Sequence, residues 1–566
     1  MFKKSILSLV VIAATQLTAC SSSDSDKNEA PTNITISSNS VIENILGAEV
    51  GTLSATDVNN SDTFTFTTSS QSFVIDGNTL SLSPDFAVDF EFATSIDVEV
   101  TVTDSGNLSF TKTLTIDIED VLDVYAFTNK LSNEDSVSYS GQVARHVLIA
   151  ELNNYIDSGL QNDIDNLDVT TKAQAMTALN SYYKTTDEEY AVYSDRALTL
   201  SINGEAEQKL LSDISGSTKD LSGKIAGNDA TGQHKDWSTE FYAFGEKGSQ
   251  TPEELIQFFF EKVAENAEIA ASGATREDIN GDVITKVYLS ENGLDYKQLI
   301  QKTLLGAVAY SQGTDDYLDA NVDNKGLNTS NEMLVDGKSY TNLEHQYDEG
   351  FGYFGAARDY LSYTDEEIAS KGGRDNYQGM YDTDTSGMID LNSEYNFGHS
   401  QNAAKRDLGT ASNSMPTDFT EAAMQAFLQG RALINENVGA ELTDAQMASL
   451  LEFRDEAVAN WEYAIAATVV HYVNDVLADY ADLGTEDFNY ADLAKHWSEL
   501  KGFAISLQFN PHKKLTDAQY TKINELLQDA PVLSGDGVVQ YLLDLAEVRL
   551  VLQQAYEFNA ENTTSW

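Results

Sequence analysis

The sequence predicts a multidomain protein in which a small N-terminal all-β sandwich precedes a large all-α helical-bundle domain. Two changes of pattern and one scarcity predict it. From Thr32 to about Val121 apolar residues alternate with polar ones at period two. Beyond Tyr125 they recur at period 3.6 to the end of the chain. Only 6 Pro occur in 566 residues, which favours long uninterrupted helices in the second part.

The chain opens on an address. Lys3 and Lys4 form a basic start, Ile6–Ala14 an apolar run too short to span a bilayer, and Leu17-Thr18-Ala19-Cys20 a small-residue box. The pattern resembles a bacterial lipoprotein signal. The resemblance implies removal of residues 1–19, acylation of Cys20 and, since Ser21 and Ser22 follow without an Asp, delivery to the outer membrane. Cys20 is the only cysteine, so no disulfide forms within the chain. Residues 20–31, rich in Ser and Asp, read as a flexible tether.

The β part spans residues 32–121. Thr63-Phe64-Thr65-Phe66 and Asp97-Val98-Glu99-Val100-Thr101-Val102 are half-buried strands, and Asp76-Gly77-Asn78 and Asp104-Ser105-Gly106-Asn107 are turns between strands. Pro31–Ile34, Val41–Asn44, Gly51–Asp57, Asp89–Glu91, Val102–Gly106 and Asp117–Asp120 together resemble a bacterial cadherin-like domain. In that family Glu43, Asp89, Glu91, Asp117 and Asp120 would gather calcium at one pole. A spacer without calcium is the alternative.

The helical part spans residues 125–566. Segments such as Ser140–Ile156, Glu253–Ala271, Asp295–Ser311, Leu343–Leu361, Asp418–Glu436, Tyr490–Gln508 and Asp536–Phe558 carry apolar residues at helical spacing. Thr251, Thr443 and Thr516, each with Glu or Gln three residues on, are capping-box starts. The run Thr443–Tyr480 would span roughly 57 Å as one helix, a length found in bundles.

Within this part, Asp382-x-Asp384-x-Ser386-Gly387-Met388-Ile389-Asp390 follows the first nine positions of an EF-hand loop. Oxygens at alternate positions wrap a hard cation, Gly at the sixth permits the bend, and the Met388 carbonyl is the seventh-position ligand. Ile389 is the apolar residue that pins such a loop to its domain. At position 12 stands Ser393, not the usual Glu, so Glu394 is the expected substitute. The reading is a calcium loop over 382–394 inside a larger domain, and the alternative is a solvated acidic turn.

Tyr139–Arg145, Lys224–Asp229, Glu344–Gly355, Asn396–Ser400 and His496–Phe503 resemble an uncharacterised family of bacterial lipoproteins related to the imelysins. The resemblance implies an all-α protein at the bacterial surface in a setting of iron uptake. There an HxxE-like element marks the proposed site. Two elements of that kind occur here, His345-x-x-Asp348 and His496-x-x-Glu499. Each puts an imidazole and a carboxylate on one helix face, and together they would hold a transition metal such as iron; the alternative is a helix-capping or core hydrogen-bond role in which each carboxylate only fixes its own imidazole.

The chemistry that the sequence excludes is as clear. Lys and Arg number 34 against 90 Asp and Glu, a net charge of -56, which repels nucleic acid. No Gly-x-Ser-x-Gly elbow, His-Glu-x-x-His helix or phosphate-cradling Gly loop occurs. Three classes of function remain. The first is a non-enzymatic surface lipoprotein of iron acquisition, binding a metal, a metal complex or a TonB-dependent receptor. The second is a metal-dependent hydrolase of imelysin type, and the third a structural or adhesive surface protein.

Overall fold

The computed structural model describes residues 27–90, 92–184, 196–200, 205–228, 232–369 and 386–566. Cys20, Glu91, Asp382 and Asp384 lie outside the described residues. The chain divides into two compact units, Met1–Val121 and Leu122–Trp566. The first is all-β and the second mostly helical.

The β unit is a sandwich of two four-stranded sheets. Its strands are β1 (Asn33–Ile36), β2 (Ser40–Ile42), β3 (Glu49–Thr56), β4 (Thr65–Thr68), β5 (Phe73–Asp76), β6 (Thr79–Leu82), β7 (Ser95–Thr103) and β8 (Ser109–Glu119). One sheet has the order β1-β3-β6-β5, the other β2-β8-β7-β4. All pairs are antiparallel except β2 with β8. Period two is visible in β7, where Val98, Val100 and Val102 are buried and the residues between them face outward. They meet Ile34, Leu53 and Leu80 of the other sheet in one apolar core.

Eleven helices of eight residues or more occur among the described residues of the second unit. They are α1 (Ser140–Asn154), α2 (Lys172–Tyr183), α3 (Pro252–Ala271), α4 (Tyr296–Leu304), α5 (Asn342–Phe354), α6 (Gly398–Thr410), α7 (Phe419–Glu436), α8 (Asp444–Ala481), α9 (Tyr490–Ser506), α10 (Asp517–Leu527) and α11 (Gly537–Ala555). The three Thr capping boxes at 251, 443 and 516 are formed. Helix α8 is unbroken over 38 residues and packs against α6, α7, α9 and α11. Trp461 on α8 and Trp497 on α9 are wholly buried, as are Tyr347 and Phe351 on α5. These four aromatic side chains are therefore core packing.

Two helices depart from the periodicity. The expected helix over 295–311 is α-helical only to Leu304, then continues as π turns over Leu305–Tyr310 and Gly313–Tyr317. The expected helix over 343–361 stops at Phe354. Gly355 adopts φ +86, and a Cβ there would lie 2.6 Å from the Phe397 carbonyl oxygen. Apolar periodicity continued past that point, but the chain has to turn under the Phe397 strand of backbone.

Candidate metal sites

The described half of the EF-hand-like loop is held from the side. Ile389 has no exposure, donates from its amide to Glu205 O at 2.8 Å and accepts from Glu207 N at 2.9 Å. The Asp390 carboxylate accepts from Gln208 Nε2 at 2.8 Å, Asn392 N at 2.9 Å and Ser393 Oγ at 2.6 Å. Glu394 is buried and folds back so that its Oε2 accepts from Asp390 N at 2.8 Å. Gly387 has φ +80 and open space around its Cβ position, the conformation the sixth position of such a loop requires.

The four donors expected to share a transition metal do not converge. His345 Nδ1 lies 3.0 Å from the Ser138 carbonyl, and its ring stacks on Tyr340 at 4.4 Å. Asp348 turns away from it, accepting from Arg431 Nε at 2.7 Å, Tyr125 Oη at 2.9 Å and Ser138 N at 3.1 Å. Arg431 also reaches Glu344 at 3.1 Å. Burial works against the charge of this guanidinium, but Asp348, Tyr125 and Glu344 outweigh it and hold its pKa above the ordinary value.

His496 Nδ1 meets Asp479 Oδ2 at 2.8 Å, a hydrogen bond that raises its pKa. Glu499 lies 3.4 Å from Lys302. The helix of His345 packs on α1 and α7, whereas that of His496 packs on α8 and α4. Spacing placed each imidazole beside its own carboxylate. The fold supplied Asp348, His496 and Glu499 with partners from other helices and His345 with the Ser138 carbonyl.

His399, after the calcium-like loop, is fully buried among Tyr310, Trp461 and Phe503, and neither ring nitrogen has a hydrogen-bond partner. Burial pushes its pKa down to about 3.

In the β unit the carboxylates expected at the calcium pole have separate hydrogen-bond partners or face solvent. Glu43, 1% exposed, accepts from Phe90 N and Val121 N, which ties Phe90 and the segment after β8 to the end of β2. Asp89 accepts from Phe92 N at 3.0 Å and Asp117 from Asn39 Nδ2 at 3.2 Å, while Asp120 is exposed. Glu43, Asp89, Asp117 and Asp120 form no group of three converging donors.

The other end of β7 differs. Among the described residues, Asp57, Asp62 and Asp104 are the one group of three carboxylate or imidazole donors whose ligand atoms all lie within 4.8 Å of one another. Asp57 follows β3, Asp62 precedes β4, and Asp104 sits in the turn between β7 and β8. Each is fixed by one or more hydrogen bonds. Asn59 N donates to Asp57 Oδ1 at 2.8 Å, and Ser105 Oγ to Asp62 Oδ1 at 2.7 Å. Asn28 Nδ2 donates to Asp104 Oδ2 at 3.0 Å.

The second oxygens of Asp57 and Asp62 are shut off from solvent and have no hydrogen-bond partner. Burial pushes the Asp104 pKa up, but hydrogen bonds from Leu108, Asn28 and Gly106 outweigh it and hold the group below its usual range. Three anionic oxygens this close repel one another unless a cation lies between them, and their separation suits Ca–O distances of about 2.3–2.6 Å. Asp57 and Asp104 stand within motifs legible in the sequence, but Asp62 carries no local signal.

Residues 123–383 match the family described as a domain of unknown function, DUF4856. No curated protein and no solved structure matches the chain.

Proposed function

We propose that the chain is a calcium-stabilised lipoprotein, anchored in the outer membrane through Cys20, that works by binding rather than by catalysis. The β unit stands between anchor and helical unit in the chain and holds calcium at Asp57, Asp62 and Asp104. The helical unit binds a metal, a metal complex or a TonB-dependent receptor in iron acquisition. The observation that carries the calcium assignment is the pair of buried, unpartnered oxygens on Asp57 and Asp62 beside Asp104. The hydrolase reading needed His345, Asp348, His496 and Glu499 to act together. Their separate partners favour binding.

An ion that binds only the folded state stabilises it by about 2.7 kcal/mol at a hundredfold excess over Kd. Calcium should raise the melting temperature of the wild type, and raise it less in Asp57→Asn and Asp104→Asn. Equal shifts in all three proteins would reject the site. Cys20→Ala should move the protein from the membrane fraction to the soluble fraction.

A further inference from the structure

A cleft of about 610 Å3 opens on the helical unit, a size within the range of small-molecule sites. One wall is α5, where Asn342, Gln346 and Glu349 lie four and three residues apart and so share a face. The loop that follows the second π turn supplies Asp323, Asn324 and Lys325. Asp316 and Tyr317 at the end of that turn, with Lys224, line the rest.

The lining is braced from within. Gln346 Oε1 accepts from Gly326 N at 3.1 Å, which ties the loop to α5. Gln142 Nε2 donates to Glu349 Oε1 at 2.9 Å, and Gln346 Nε2 reaches Glu349 Oε2 at 3.4 Å. Lys325 pairs with Asp316, and Leu327 N donates to the Asp319 carbonyl at 2.9 Å, so the loop is also fastened to the chain leaving the π turn. The Lys224 ammonium stands 5.7 Å from the Tyr317 ring centroid. Side chains fixed in this way lose little further freedom when a ligand binds.

The chemistry of the lining selects the ligand. Lys224 and Lys325 stand against Asp316, Asp323 and Glu349, so the cleft is within one charge of neutral in a chain of net charge -56. A polyanion is repelled by the chain as a whole, and a cation meets the two lysines. Val322 and Tyr317 are the only apolar or aromatic side chains among the lining residues, too few for a lipid or an aromatic cofactor. The amides of Asn324, Asn342 and Gln346 both donate and accept, the carboxylates accept, and the ammonium groups donate. A hydroxyl group also does both, and finds a counterpart in each of them. We propose that this cleft binds a neutral, hydroxyl-rich ligand, a short oligosaccharide. Its hydroxyls donate to Asp323 and Glu349, accept from Lys224, and pair in both directions with Asn324 and Asn342. The site goes beyond the binding function proposed above and needs neither calcium nor iron.

The probes are maltotriose, cellotriose and triacetylchitotriose, titrated into the full chain by isothermal calorimetry, with trigalacturonate as the anionic counterpart. At least one neutral trisaccharide should bind with a Kd below about 1 mM, and trigalacturonate at least tenfold more weakly. Asp323→Ala removes a charged acceptor and should weaken binding at least tenfold. Asn342→Trp fills the cleft from its rim and should abolish binding. Both positions are exposed, so circular-dichroism melts of the two variants should match that of the wild type. Saturation-transfer resonance on the unaltered chain reads the same binding with no variant that has to fold. Binding of none of the three neutral sugars, trigalacturonate binding as tightly as the best of them, or unchanged affinity in both variants would overturn the proposal.

Discussion

Arg431 donates from Nε to Asp348 at 2.7 Å where neither side chain has any exposure to solvent. The same guanidinium reaches Glu344 at 3.1 Å and Ser136 Oγ at 2.8 Å. One cation from α7 thus serves two carboxylates of α5.

Removing that cation strands two buried anions. Arg431→Met should destabilise the helical unit by about 3–5 kcal/mol, the usual cost of breaking a buried pair from one side. His345→Ala, whose ring is partly exposed and hydrogen-bonded to a backbone carbonyl, should cost about 1 kcal/mol. Urea unfolding of both variants checks the contrast. A larger loss in His345→Ala would mean that the imidazole, not Arg431, organises this core.

Lys501 is buried without an acidic hydrogen-bond partner. Its Nζ donates to Asn524 Oδ1 at 2.7 Å and to the Gln528 carbonyl at 2.8 Å, and burial pushes its pKa down to about 7. Unfolding restores the ordinary value of about 10.4. Between those two values the unfolded chain binds more protons than the folded one. Stability from this group therefore rises with pH over that window, by up to about 1.4 kcal/mol per unit. Below about pH 7 the full penalty is present. Lys501→Met should flatten the difference in unfolding free energy between pH 7 and pH 9.5 relative to wild type.

Gly355 and Gly337 both adopt positive φ, +86 and +71, yet only the first is crowded. Gly355→Ala brings a Cβ to 2.6 Å from the Phe397 oxygen, whereas nothing lies within 4 Å of the Gly337 position. The backbone strain is common to both, about 1–2 kcal/mol. The clash adds about 1–3 kcal/mol at Gly355 alone. Thermal melts of the two variants should differ accordingly.

Calcium at the 382–394 loop is testable apart from the β unit. Asp382→Ala should reduce the calcium-induced rise in melting temperature that remains in Asp57→Asn. Because Glu394 already accepts from the Asp390 amide, Glu394→Gln keeps an acceptor there and isolates the loss of charge. A reduced calcium response in Glu394→Gln would make it the position-12 ligand. An unchanged one would leave it a brace of the loop.

The division into an all-β and a helical part, and the helix starts at Thr251, Thr443 and Thr516, follow from the sequence alone. Those features are local. Alternation, helical spacing and capping boxes involve residues that neighbour one another in the chain. Ile389 as the anchor of its loop was legible for the same reason.

Which groups meet was decided only in three dimensions. Asp348 lies three residues from His345 but pairs with Arg431, 83 residues away, because an arginine inside the core needs a carboxylate more than a half-exposed imidazole does. His496 takes Asp479 from α8 in place of Glu499 on its own helix. Asp57, Asp62 and Asp104 come from separate loops that the two sheets bring to one end of the sandwich. Periodicity states which face of an element is buried. Partners across the core depend on packing between elements far apart in the chain, and no local pattern records it.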